Sequence, residues 1–265
     1  MTSHLKAYED IDFLKRTECR SVRLQLEFLK PDLIMDEHDI RSTIVTFGSA
    51  RLLPPETAKA QLDKARQEQH QYPESSDVQR RLKYAERQVE LSQYYDTARE
   101  FAALVSRECQ QNACPREYVV ITGGGGGAME AANRGADDVG AKSIGLNISL
   151  PYEQMPNAYA TEELQFQFHY FSIRKMHFLL RARALCAFPG GYGTLDELFE
   201  TLTLIQTRKI ERIPVVLFGR SFWQELVNWD MLASYGLIDP EDMDIFTFCE
   251  TPREAWDYIR SFWHE

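Results

Sequence analysis

Short runs of β-branched and apolar residues recur along this chain. Each is followed by glycine, proline, serine or asparagine and then by a stretch with helical periodicity. The clearest runs are Thr43–Phe47, Tyr118–Ile121, Ser143–Ile148, Leu185–Phe188 and Ile213–Phe218. Few folds accommodate such alternation. Nearly continuous apolar character, as in Pro214-Val215-Val216-Leu217-Phe218, suits strands of a parallel sheet covered on both faces. Strand–helix repetition of this kind predicts an α/β fold, a Rossmann-like doubly wound parallel sheet. A short last strand at Phe246–Cys249 and a helix from about Pro252 close the pattern.

Two regions fall outside that rhythm. Residues 1 to about 40 read as amphipathic and helical, with Phe13, Leu14, Val22, Leu24, Leu26, Phe28 and Leu29 as the apolar positions, ending at Lys30-Pro31 or shortly after. Residues 55 to about 92 are dense in Gln, Glu, Arg and Lys and are split by Pro73-Glu74-Ser75-Ser76, which predicts a helical hairpin. Its charges read first as a solvated face, and second as a lid or dimer contact. The expected organisation is therefore a helical extension over 1–40 and a nucleotide-binding catalytic domain over 41–265 that carries the hairpin as an insertion.

Charge narrows the partners. Thirty Lys and Arg against forty Asp and Glu leave a net charge of −10, which argues against nucleic-acid and anionic-membrane binding. Five cysteines with no CxxC pair and no histidine at zinc spacing predict free thiols in a reducing compartment and no metal site. The first residues contain no uninterrupted apolar segment, and the longest apolar run, Ile213–Phe218, is far short of a membrane span. These features predict a cytoplasmic protein.

Three glycine-bearing turns follow predicted strands: Phe47-Gly48-Ser49-Ala50-Arg51, Thr122 to Gly127, and Pro189-Gly190-Gly191-Tyr192-Gly193-Thr194. In open α/β sheets such turns gather at the carboxyl ends of strands, where ligands bind. Glycine lets the backbone approach an anion, and the following helix N-terminus supplies unpaired N–H groups. Three turns in the same position point to a phosphate. Gly123-x-Gly125-x-x-Ala128 formally satisfies the dinucleotide fingerprint, but the strand ending about twenty residues later offers Asn147 where an acid is wanted. No Gly-Lys-Ser/Thr follows any glycine run, which argues against a nucleoside-triphosphate loop.

The third turn admits two readings. Thr194 can cap a helix beginning at Leu195, with Glu197 completing a Thr-x-x-Glu capping box. Alternatively, an acid beside an anion site contacts the sugar of the ligand rather than its phosphate. Upstream, Tyr170 to Met176 opens a helix that carries Phe178, Leu179, Arg181 and Arg183. Arg174 and Lys175 at its start are unfavourable against the helix dipole and call for another explanation, either solvation or an anionic ligand. His169 and His177 read as structural.

Arg174-Lys175 followed by Pro189-Gly190-Gly191-Tyr192-Gly193-Thr194-Leu195-Asp196-Glu197 resembles the paired RK and PGGxGTxxE signatures of the Lonely Guy (LOG) family, in its longer bacterial form. The resemblance extends through Thr122 to Glu130, Gly145 to Ile148, Leu150 to Gln154 and Leu202 to Thr207. It implies a Rossmann-like fold, a homodimer or higher oligomer, and hydrolysis of the N-glycosidic bond of nucleoside 5′-monophosphates to free base and ribose 5-phosphate, without a cofactor. The base would be adenine or, as in cytokinin activation, a prenylated adenine. Glu197 matches the family's catalytic acid and Arg174 its partner. Lys175, Glu153 and the turn Gly190, Gly191, Tyr192, Gly193 and Thr194 match substrate-contacting positions; Gly48, Ser49, Gly124, Gly125 and Gly126 join them as phosphate-turn residues. One departure is visible: Phe178 stands where the family's RKxxM has methionine.

Two alternatives remain open: a non-catalytic nucleotide or cofactor carrier, and lysine decarboxylase, a label attached to similar sequences. The latter needs a lysine Schiff base to pyridoxal phosphate, and Lys175 is the one lysine within the signature.

Overall fold

A computed structural model describes residues 4–113, 117–150 and 155–264. Seven strands form one parallel sheet: β1 (Thr43–Phe47), β2 (Val119–Thr122), β3 (Ser143–Ile148), β4 (Gln165–Phe168), β5 (Ala182–Ala187), β6 (Val215–Phe218) and β7 (Phe246–Cys249). Their order is β4-β3-β2-β1-β5-β6-β7. The chain therefore winds outward from β1 in one direction, returns, and winds outward in the other. β1 and β5 flank the switch point, where strand ends diverge and open a crevice.

Ten helices are described: α1 (Ile11–Leu14), α2 (Arg20–Glu37), α3 (Pro55–Gln71), α4 (Ser76–Ser106), α5 (Ala128–Asp137), α6 (Phe171–Leu180), α7 (Tyr192–Gln206), α8 (Arg220–Leu226), α9 (Trp229–Ser234) and α10 (Pro252–Trp263). Alternate strand residues face opposite layers. Val45, Phe47, Ile121 and Leu185 meet Met35 of α2, Phe178 of α6 and Leu198 of α7. Ile44, Val120, Ala184 and Val216 meet Phe101 of α4, Ala131 of α5 and Trp256 of α10. Both faces are covered, which is why the strands read as continuous apolar runs. Among the described residues no helix is long and apolar enough to cross a membrane. Cys19, Cys186 and Cys249 are buried free thiols, and Cys114 lies outside the described residues.

Several boundaries differ from the sequence expectation. β4 has no counterpart in it, although Gln165-Phe166-Gln167-Phe168 alternates as a half-covered edge strand should. β2 begins at Val119, because Tyr118 takes a positive φ of 52°. β5 begins at Ala182, so Arg183 lies on a strand rather than on the preceding helix; its guanidinium rests 3.8 Å from the centre of the Trp263 ring. α2 continues through Pro31 to Glu37. Proline removes the hydrogen bond to the Glu27 carbonyl, but Pro31 and Met35 are buried and the next turns hold Arg181 through Asp32 and Asp36. Val22, Leu26 and Leu29, expected on its apolar face, are exposed. The charged stretch forms α3 and the first half of α4, which runs on to Ser106; Leu62, Ala65 and Ala85 pack between the two helices.

The crossing of α4 and α5 depends on Gly135. A β-carbon there would press on the backbone carbonyl of Arg99 and lie 3.0 Å from the Ala102 β-carbon. Alanine is favoured over glycine by about 1 kcal/mol in a helix interior, yet here it must force two helices apart, at a cost of about 1–3 kcal/mol or more. Gly135→Ala is expected to lower the melting temperature by several degrees, as read in a thermal denaturation scan; an unchanged or raised value would show that the helices separate freely.

Candidate active site

The three glycine turns meet at the switch point. Gly48 follows β1, and a β-carbon on it would lie 2.5 Å from that of Ala128 and 3.0 Å from that of Phe188. Its glycine allows the first turn to pack between the second and third. Ser49 ties them together through its backbone: its N–H donates to the Pro189 carbonyl at 3.1 Å and its carbonyl accepts from Ala128 N–H at 3.0 Å. Its hydroxyl accepts from Arg51 N–H at 3.0 Å.

In the second turn Gly124 has a φ of +71°, with the Asn147 side chain occupying the place of a β-carbon. Asn157, which sequence reasoning did not single out, fixes this turn. Its N–H donates to the Gly124 carbonyl at 2.8 Å, and its side-chain amide donates to the Gly125 carbonyl and to Asn133, each at 3.0 Å. Gly126 lies over the Ala50 carbonyl. A buried lone asparagine outside any glycine motif gives no local signal of such a task.

The third turn overturns the capping-box expectation. α7 begins at Tyr192, not Leu195, with Gly191 as N-cap and no side-chain cap; Leu195 N–H donates to the Gly191 carbonyl at 3.0 Å. Thr194 is buried and fills the space that a Gly190 β-carbon would need. Nothing lies within 4 Å of where a β-carbon would stand on Gly191 or Gly193, and Tyr192 is 92 % exposed. The helix thus presents open first-turn N–H groups at the carboxyl edge of the sheet.

Because α7 starts earlier, Glu197 lies inside it and turns inward. It is 7 % exposed. Burial raises its pKa to about 7, although Lys175 and Arg174 pull in the other direction. Lys175 Nζ stands 3.9 Å from Glu197 but 2.8 Å from Asp196 and 2.9 Å from Glu200. Burial draws the Lys175 pKa down, and hydrogen bonds to Asp196 and Glu200 more than offset it, so the net shift is upward. Lys175 is thereby neutralised by its own neighbours.

Of the adjacent pair Arg174 and Lys175, Arg174 is the one without an ion-pair partner among the described residues. Its Nε is buried without a hydrogen-bond partner, and it forms no ion pair within 4.0 Å among the described residues. Its guanidinium lies 5.2 Å from the Phe178 ring centre and 5.8 Å from that of Phe171. Burial lowers its pKa, with Glu197 acting against that shift; an arginine so placed stays charged. A β-carbon on Gly123 would lie 3.1 Å from Arg174 Nη2, so the guanidinium reaches the second turn. Phe178, the departure from the family pattern, is fully buried and packs edge-on to Phe47 at 4.8 Å. Of the expected site residues, Glu153 lies outside the described residues; Ser49 ties the three turns together, Arg174 reaches the second turn, and Lys175 is paired with Asp196 and Glu200.

Glycine turns, open amide donors, an arginine with no ion-pair partner among the described residues and a buried carboxyl come together at the switch point of a parallel α/β sheet. The family model described as "Possible lysine decarboxylase" matches residues 129–259. A "Probable cytokinin riboside 5'-monophosphate phosphoribohydrolase LOG4" of Oryza sativa subsp. japonica is 30% identical over 144 residues, 52% of this chain and 61% of that protein. The "Cytokinin riboside 5'-monophosphate phosphoribohydrolase LOG3" of Arabidopsis thaliana is 28% identical over 146 residues, 52% of this chain and 65% of that one. The chain thus spans less than two thirds of the length of these curated relatives. Over about half of its length it is similar to Lonely Guy phosphoribohydrolases. Among solved structures, a molybdenum cofactor binding protein from Rippkaea orientalis is similar at 17% identity and a TM-score of 0.47, covering 84% of this chain and 99% of that one.

Proposed function

We propose that this protein hydrolyses the N-glycosidic bond of nucleoside 5′-monophosphates, releasing the base and ribose 5-phosphate. The observation that carries this reading is the pairing of a buried Glu197 carboxyl, with its pKa raised to about 7, and a half-buried Arg174 whose buried Nε has no hydrogen-bond partner and which has no carboxylate partner among the described residues. An anion bound on the open N–H groups of α7 and on Arg174 would place its sugar toward Glu197. As the bond from C1′ to the base nitrogen breaks, positive charge develops on the ribose, as in glycoside hydrolysis. The ionised Glu197 stabilises that charge and takes one proton from the attacking water, whose oxygen bonds to C1′. The base leaves with the bonding electron pair and takes up a proton from solvent, and Glu197 returns to solvent the proton it accepted, so that one water is divided between ribose and base.

The lysine decarboxylase label fits this site poorly. A Schiff base forms from a neutral, accessible amine, whereas Lys175 is held as a cation by Asp196 and Glu200. A carrier has no use for a carboxyl that opposes a bound anion. Incubating the protein with AMP and separating the products is expected to show adenine and ribose 5-phosphate in equal amounts. Tight binding of AMP without turnover, extended to GMP, CMP, UMP and a prenylated AMP, would make it a binding protein instead.

A further inference from the structure

The two cations that open α6 add to the positive end of the helix dipole, and the N-cap residue, Tyr170, offers no side-chain hydrogen bond. Compensation comes from 142 residues away in the chain. The Glu27 carboxylate of α2 accepts from His169 N–H at 2.9 Å and from Tyr170 N–H at 3.1 Å. Arg174 N–H in turn donates to the Tyr170 carbonyl at 3.2 Å, so any shift of the capped residue is passed directly to the Arg174 backbone.

The rest of α2 holds the same helix. The Phe28 ring lies 5.2 Å from that of His177. Arg181, the C-cap of α6, donates to Asp32 at 2.6 Å, to Asp36 at 2.8 Å and to the Ile40 carbonyl at 2.6 Å. Each end of α6 is therefore tied to one extended helix.

We infer that Glu27 is a positioning residue for Arg174, and that α2 acts as a splint setting where α6 begins and where the guanidinium lies against the second glycine turn. The placement stands on geometry alone; its effect on turnover rests on the function proposed above. A cap to two N–H groups typically contributes enough that its loss shifts an equilibrium by about five- to tenfold. A residue acting only through another shows no effect once the other is gone.

The test uses the full chain with Glu27→Gln, Arg174→Gln and both together. Two measurements are made: the 15N–1H resonance of the buried Arg174 Nε, and kcat and KM for AMP. The expected result is a displaced or faster-exchanging Arg174 Nε–H in Glu27→Gln. With it goes an AMP KM raised about fivefold or more, an effect that vanishes in the Arg174→Gln background. An unmoved Nε–H, or an equal effect in both backgrounds, overturns the inference. Were AMP not a substrate, the Arg174 signal would still decide, so the two proposals fail separately. If Glu27→Gln does not fold, Glu27→Asp, which keeps the charge but shortens the reach, takes its place in both measurements.

Discussion

Replacing Glu197 by glutamine is expected to lower kcat on AMP by about 10²–10⁴-fold, the usual contribution of a positioned acid–base group, while making the folded protein more stable above neutral pH. The two effects share one cause. Burial raises the carboxyl from an ordinary 4.5 to about 7. Between those values the folded state holds a proton that the unfolded state has released. Stability is therefore lost as pH rises through that window, reaching about 3 kcal/mol above it. Glutamine has nearly the same shape and no charge to desolvate. The Glu197→Gln protein should melt at the same temperature as the natural one near pH 4.5 and several degrees higher at pH 8. In the natural protein kcat/KM for AMP should rise with pH through about 7 as the carboxylate forms. Parallel stability profiles for the two proteins would show that Glu197 ionises as it does in water.

Adenosine, which lacks the phosphate, is expected to be hydrolysed about 10³-fold or more less efficiently than AMP, with much of the loss in kcat. Hydrogen bonds to a charged group contribute about 1.5–3 kcal/mol each, and two or three from the glycine turns and Arg174 account for such a factor. Binding energy realised far from the reacting bond holds the sugar where Glu197 can act, so its removal slows the chemistry itself. Arg174→Gln should narrow the gap by depressing turnover of AMP and leaving that of adenosine almost unchanged. Comparable rates for both substrates in initial-velocity assays would remove the phosphate from the scheme.

The parts of the fold legible in the sequence are those governed by local chemistry. β1, β3 and β7 occupy the residues that their apolar runs marked, because strands covered on both faces admit little else. The three glycine turns were readable for the same reason. The edge strand β4 was lost because four alternating residues resemble many loops. The start of α7 was misplaced by three residues, since Thr194 and Glu197 have capping-box spacing whether they stand at a helix end or within it. That small difference decides whether Glu197 satisfies backbone donors or lies buried within the helix near Lys175.

Residue type and spacing by themselves determined the parallel α/β sheet, the turns at its carboxyl edge and the candidates Arg174 and Glu197. The folded chain alone decided their charge states and partners. Lys175 is occupied by Asp196 and Glu200, Arg174 has no carboxylate partner among the described residues, and Glu27 caps a helix far along the chain. Periodicity and turn chemistry act over a few residues and are written in order along the sequence. Desolvation and ion pairing depend on which surfaces meet in space, and that is settled only when the two layers close over the sheet.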